Sequence, residues 1–170
     1  MKKLLIVVDY QNDFVNGSLG FEEALKLEEI ILKKIDEYND IIFTLDTHFD
    51  DYMSTKEGEK LPIPHCIKGT VGHELFGKVK EKANKALKIF EKNTFPSLDL
   101  ANYLKDKDYD YVEICGLVSN ICVISNAVMV KSALPNATIV VDSKATSCAF
   151  PKLNEEALDI LESIHVDVLR

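Results

Sequence analysis

The chain has 170 residues, 46% of them hydrophobic and 28% charged, with a net charge of −8 at pH 7. That length suits a single domain over residues 1–170, large enough to bury a core without cross-links. The negative charge argues against nucleic acid and anionic membrane surfaces as partners, because both would repel it.

The uninterrupted apolar run Leu4-Leu5-Ile6-Val7-Val8 ends at Asp9. It stops too early for a secretory signal and no small-residue cleavage site follows, so it is expected to be a strand buried on both faces in a cytoplasmic protein. Ala24, Leu27, Ile31, Ile35 and Tyr38 recur at steps of three and four, which predicts one helix with the charged residues of Glu22–Lys34 on a solvated face. Ile41–Leu45 reads as the second strand, and a long polar segment runs from Asp46 to Gly72. A helix is expected over Glu74–Ala83 and a strand over Leu87–Phe90. Ser97 can cap a helix through Leu98, Ala101 and Leu104. Tyr111–Cys115 is the fourth strand, Asn120–Leu134 the following helix, Thr138–Val141 the fifth strand. Leu153–Ile164 forms the last helix, with 153, 157, 160, 161 and 164 as its apolar positions, and His165–Leu169 a sixth strand. No apolar stretch approaches the roughly 20 residues needed to cross a bilayer.

Strand and helix alternating in this way predict an α/β fold, a three-layer α/β/α sandwich around a mostly parallel, six-stranded, Rossmann-like sheet. Ligands in such sheets bind beyond the carboxyl ends of the strands, at the topological switch point. Reactive side chains fall at four of those ends: Asp9, then Asp46 and His48, then Lys92, then Cys122.

Each has a plain structural alternative. Asp9 can cap a turn, most lysines are solvated charges, and a free cysteine is usually a small buried hydrophobe. The four cysteines (66, 115, 122 and 148) show no paired spacing and suit free thiols in a reducing compartment. Cys122 differs because a strand-to-helix turn aims it, and a helix N-terminus is expected to lower its pKa. A cation at Lys92 would hold both the thiolate and the Asp9 carboxylate. Asp46 and His48 point the same way from an extended segment. With His65 in the same loop, and Glu57 or its competitor Glu59, they offer oxygen and imidazole donors that suit Zn, Fe or Mn. His73 and His165 lack such company and are expected to be structural or surface residues, and Cys66, Cys115 and Cys148 to be buried fillers.

Asp9-x-Gln-Asn-Asp-Phe14, Asp46-x-His48, Pro64-His65-Cys66-x-x-Gly69-Thr70, Lys92 and Gly116-x-x-Ser-Asn-x-Cys122 together resemble the isochorismatase-like cysteine hydrolases. The metal-binding elements are similar to those of the nicotinamidase/pyrazinamidase branch, and the resemblance covers nearly the whole chain in order. It implies a catalytic triad of Asp9, Lys92 and Cys122, with Val118 and Cys122 N–H groups forming an oxyanion hole and a cis Leu117–Val118 bond. It further implies that Asp46, His48, His65 and Glu57 bind one divalent metal, zinc first and iron or manganese as alternatives. That metal would hold the pyridine nitrogen of nicotinamide while Phe14 borders the ring. The implied reaction converts nicotinamide or pyrazinamide to the acid and ammonia through a thioester, a step of NAD salvage. Two positions depart from the branch: Pro62 stands where an aromatic residue often stacks on the substrate, and Ser54 where the fourth metal ligand is often His. Another small-amide hydrolase of the superfamily, or a non-catalytic metal- or metabolite-binding protein on this fold, remains as the alternative. The expected partner is a small-molecule amide, with the oligomeric state left open.

Overall fold

The computed structural model describes residues 1–170. Six parallel strands, β1 (Lys3–Val8), β2 (Asp40–Asp46), β3 (Lys88–Lys92), β4 (Tyr111–Leu117), β5 (Thr138–Ser147) and β6 (Asp167–Leu169), form one sheet in the order β3-β2-β1-β4-β5-β6. The order reverses between β1 and β4, which places a crevice beyond Val8 and Leu117.

The central strand shows why its sequence is apolar throughout. Leu4, Ile6 and Val8 enter one core, and Leu5 and Val7 enter another on the opposite face. The first core is roofed by α6 (Leu98–Leu104), α7 (Ile124–Ala133) and α8 (Pro151–Ser163) through Leu100, Leu104, Ala127, Val130, Leu158 and Leu161. The second is covered by α1 (Asn12–Val15), α2 (Glu22–Lys26), α3 (Glu28–Glu37) and α5 (Gly77–Glu81) through Val15, Ala24, Ile31, Ile35 and Val79. The remaining helix, α4 (Lys56–Lys60), lies in the long polar segment 46–72, where the sequence predicts no helix.

Several elements differ from the periodicity reading. The expected helix over 24–38 is broken at Leu27, and Tyr38 lies beyond its end, where its hydroxyl donates to Glu113 Oε2 at 2.5 Å. Lys34 is not on a solvated face. Its Nζ lies 2.6 Å from Glu113 Oε1 and 2.6 Å from Asp142 Oδ2, tying α3 to the middle of β4 and β5. In α8 the buried positions are Ala157, Leu158 and Leu161, whereas Leu153 and Ile160 face outward. The helix expected over 74–83 is confined to Gly77–Glu81, because Glu74 and Phe76 bond instead to the chain around Asn12 and Tyr10.

β4 runs two residues further than predicted, and its register against β5 shifts between Ile114 and Gly116. Gly116 has φ +111, and a Cβ there would sit 2.0 Å from Val8 O. Glycine is thus required for β1 and β4 to approach at the switch point. Gly116→Ala is expected to cost at least about 1–3 kcal/mol from the dihedral alone, more with the clash, and urea unfolding would register it. An unchanged midpoint would mean that the two strands can separate freely there.

Candidate active site

Asp9 follows β1 with φ +47, and its N–H donates to Thr44 O at 3.1 Å. This kinked exit turns the carboxylate into the crevice, where Thr44 Oγ1 donates to Asp9 Oδ1 at 2.7 Å. Lys92 ends β3, and its Nζ is 2.6 Å from Asp9 Oδ2 and 3.7 Å from Cys122 Sγ. The same ammonium donates to Thr94 O at 3.1 Å. Three strand ends thus supply one contact cluster, and all three side chains are buried.

Cys122 sits in a wide turn rather than at the start of a regular helix. Residues Ser119–Val123 form a π turn, with Val123 N donating to Val118 O at 3.1 Å, before α7 begins. Asn126, wholly buried, fastens this turn to the loop after β3. Its Nδ2 donates to Cys122 O at 2.8 Å and to Phe95 O at 3.1 Å, while Oδ1 accepts from Ser97 N at 2.9 Å. The Leu117–Val118 bond is cis, and Val118 N–H donates to no acceptor within the protein.

Electrostatics overturn one expectation from the sequence. Burial, reinforced by the Asp9 carboxylate, pushes the Cys122 thiol well above its ordinary value, and Lys92 offsets only part of this. The resting group is therefore a thiol rather than the thiolate that a helix N-terminus alone would favour. Burial likewise raises Asp9, with Lys92 pulling the other way. Lys92 remains charged: burial opposes its charge, but the Asp9 and Asp46 carboxylates raise it. A carboxylate raised by burial beside a protonated thiol is poised to receive that proton.

A second cluster lies beside the first. His48 Nε2 is 3.0 Å from Asp46 Oδ2 and 3.6 Å from Glu57 Oε1, and His65 Nε2 is 3.3 Å and 3.5 Å from the same two atoms. One ligand atom from each of Asp46, His48, Glu57 and His65 falls within 4.8 Å of all the others. His65 reaches the cluster because its neighbours pair with the His48 segment: His48 N donates to Cys66 O at 3.0 Å and Lys68 N to His48 O at 2.8 Å. Asp13 Oδ2 accepts from Cys66 N at 2.7 Å and braces that turn. Gln11 joins the same scaffold, its Nε2 donating to Asp46 O and His73 O at 2.8 Å each and its Oε1 accepting from Asp46 N.

The choice between Glu57 and Glu59 is made by packing. Thr55 caps α4, and a Cβ on Gly58 would stand 2.1 Å from Tyr52 O. The short helix therefore lies against the preceding turn with Glu57 facing the histidines, while Glu59 is exposed and pairs with Lys56 at 2.9 Å. Burial would lower His65, but the Asp46 and Glu57 carboxylates raise it to about 10. Two imidazoles and two carboxylates converging in this way fit a divalent cation: nitrogen and oxygen donors suit zinc, iron or manganese. His65 Nδ1 lies 2.8 Å from Ile63 O, a contact that commits Nδ1–H to the carbonyl and leaves Nε2 for the cluster.

Both clusters open into one cavity of about 250 Å³. Asp46, Glu57, His65 and Cys122 contribute to its wall, together with Phe14, whose ring centroid is 5.5 Å from that of His65. Pro62 is exposed and does not line the cavity; Leu61 does. Aromatic walls come instead from Phe14, Phe21, Phe95 and Phe150, three of which sequence reasoning passed over because they lie in unpatterned loops. Gln11, Asp13 and Asn126 were also missed as positioning residues. The first two lie within the Asp9–Phe14 motif, but nothing local in sequence shows what Asn126 holds. His73 is buried with Thr47 Oγ1 at 2.8 Å from its Nε2, as a structural residue would be. Cys66, Cys115 and Cys148 are buried free thiols, although Cys148 also borders the cavity.

An isochorismatase domain model matches residues 3–170. The PncA protein of Bacillus subtilis, an isochorismatase-family protein, is 32% identical over 143 residues, covering 75% of this chain and 78% of that one. The nicotinamidase/pyrazinamidase of Mycobacterium tuberculosis is 30% identical over 140 residues, covering 71% and 74%. The crystal structure of the nicotinamidase/pyrazinamidase PncA from Bacillus subtilis superposes over 100% of both chains with a TM-score of 0.86 at 29% identity. Pyrazinamidase of Pyrococcus horikoshii in complex with zinc gives a TM-score of 0.83 at 25% identity, over 100% of this chain and 99% of that one.

Proposed function

The chain belongs to the isochorismatase family, and from that premise we propose that it is a cysteine amidohydrolase converting nicotinamide, and pyrazinamide, to the acid and ammonia. The observation that carries the reading is that Cys122, in contact with Lys92 and through it with Asp9, shares one cavity wall with Asp46, Glu57 and His65 of the Asp46–His48–Glu57–His65 cluster.

Cys122 gives its proton to Asp9 as its sulfur attacks the amide carbonyl carbon. The N–H groups of Val118 and Cys122 face the oxygen that gains charge, and the unused Val118 donor supports that role. Collapse of the tetrahedral species breaks the C–N bond, and Asp9 returns the proton to the departing nitrogen, releasing ammonia and leaving a thioester. Asp9 then takes a proton from water as the water oxygen attacks the thioester, and Cys122 leaves and is reprotonated. Lys92, fixed by Asp9 and Thr94 O, offsets negative charge as it passes between sulfur and carboxylate. Asp46, His48, Glu57 and His65 would hold one divalent metal, zinc being the first choice. When bound, the metal supplies a Lewis-acid anchor for a ring nitrogen. Phe14 borders the ring.

The domain spans 1–170, and the reaction is a step of NAD salvage in the cytoplasm. No helix is long and apolar enough to cross a membrane, and the charge of −8 suits a small-molecule partner rather than a nucleic acid.

Ammonia release from nicotinamide, pyrazinamide and benzamide tests the reading. The first two are expected to turn over, and benzamide, which lacks the ring nitrogen, to lag by at least tenfold. Equal rates on benzamide would favour a general small-amide hydrolase, for which the unexpected wall at Leu61 in place of an aromatic at Pro62 is the supporting observation.

Metal retention separates the two glutamates. Loss of a supporting partner in a metal site costs about 10–100-fold in affinity, so Glu57→Gln and His65→Ala are each expected to lose at least that much. Glu59→Gln should retain metal like the parent. Competition with a chelator, read by elemental analysis, checks all three, and loss of metal from Glu59→Gln alone would reverse the assignment.

A further inference from the structure

The cavity changes chemistry from floor to mouth. Asp46, His65 and Cys122 are 2%, 2% and 4% exposed, whereas Phe95, Ile121 and Phe150 are 39%, 38% and 65% exposed. The three outer residues come from separate segments: the loop after β3, the π turn, and the loop between β5 and α8. Apart from Asn120, every polar side chain of the wall belongs to the floor. Apolar side chains converging from three segments on one opening form a patch with a purpose, since scattered exposure would not gather them around a site.

The two anchors fix which edge of a ligand meets this rim. A carboxamide on Cys122 and a ring nitrogen toward the Asp46–His65 side are meta to one another on a six-membered ring, so the carbon between them faces the floor. The carbon opposite, C5 of a pyridine-3-carboxamide, then points to the mouth. Resting on the hydrolase reading above, we propose that the site prefers pyridine-3-carboxamides carrying an apolar substituent at C5, which Phe95, Ile121 and Phe150 enclose. Nicotinamide itself leaves that rim in contact with water; an alkyl group there removes apolar surface from water on both partners.

Nicotinamide and its 5-methyl, 5-ethyl and 5-propyl derivatives provide the test. kcat/KM is expected to rise about two- to fourfold per carbon, the upper limit corresponding to full burial of each methylene and the lower to a half-open rim. Phe150→Ser should bring the ratio of 5-propyl to parent compound back toward one, whatever its absolute rate. Calorimetric titration of the same series into Cys122→Ala should show the matching fall in Kd, which separates binding from turnover. If nicotinamide is hydrolysed but the derivatives decline with chain length, or Phe150→Ser leaves the ratio unchanged, the rim proposal is overturned and the hydrolase reading stands. If nicotinamide releases no ammonia, that reading fails and the proposal falls with it.

Discussion

Asp9→Asn is expected to reduce kcat about 10²–10⁴-fold, the usual worth of a general acid–base group, while the fold persists. Asparagine is the mildest replacement available. Among non-glycine residues it best tolerates the left-handed backbone at φ +47, and its amide oxygen can still accept from Thr44 Oγ1, now 2.7 Å from Asp9 Oδ1. Lys92 would keep Thr94 O at 3.1 Å and Asp46 Oδ1 at 3.6 Å. What the variant lacks is a group that can take the Cys122 proton and return it to nitrogen. If Asp9 merely shaped the turn after β1, turnover would barely change. Lys92→Met should be comparably severe, and the double variant little worse than either single one, because residues acting as a unit are not additive. Circular dichroism and amide turnover measured together settle the point; near-parental kcat in Asp9→Asn would return that residue to a structural role.

The largest stability loss is expected at Lys34, away from the reactive cluster. Lys34→Met removes the one cation that faces both Glu113 and Asp142, each 2.6 Å from its Nζ. Glu113 is then a buried carboxylate with only the Tyr38 hydroxyl, at 2.5 Å, for support. Breaking a buried pair from one side costs about 3–5 kcal/mol, because the remaining charge has lost both water and partner. In a chain of this size that lowers Tm by roughly 6–20 °C. Replacing the charged partner as well, as in Lys34→Met with Glu113→Leu, should recover much of the loss, since an apolar pair has no stranded charge. A melting point within about 2 °C of the parent for Lys34→Met would show that Glu113 reaches water or takes up a proton without cost.

Features carried by one short segment were legible in the sequence. A parallel strand buried on both faces is nearly continuously apolar, so β1, the Ile41–Leu45 part of β2 and the Thr138–Val141 start of β5 announced themselves, while the polar continuation of β5 through Ser147 did not. Their alternation with helical stretches implied the sheet and its switch point. Because strand ends in such a sheet converge, placing Asp9, Asp46, Lys92 and Cys122 at four of them was enough to anticipate the meeting now seen at 2.6–3.7 Å. Contacts between distant segments were not legible. Periodicity put Lys34 on a polar face because it cannot see Glu113 and Asp142 arriving from β4 and β5. The two glutamates of α4 were indistinguishable until Gly58 packed on Tyr52 and set which one faces His48 and His65. Cys122 was read from its local turn as a thiolate. Burial and the Asp9 carboxylate, both products of tertiary packing, favour the thiol instead. Local sequence determines which face of an element is apolar and where its ends fall, through backbone geometry and side-chain size. Only the assembled structure decides charge state and partnership, because these depend on how much water is excluded and which charges from other segments stand within a few ångströms.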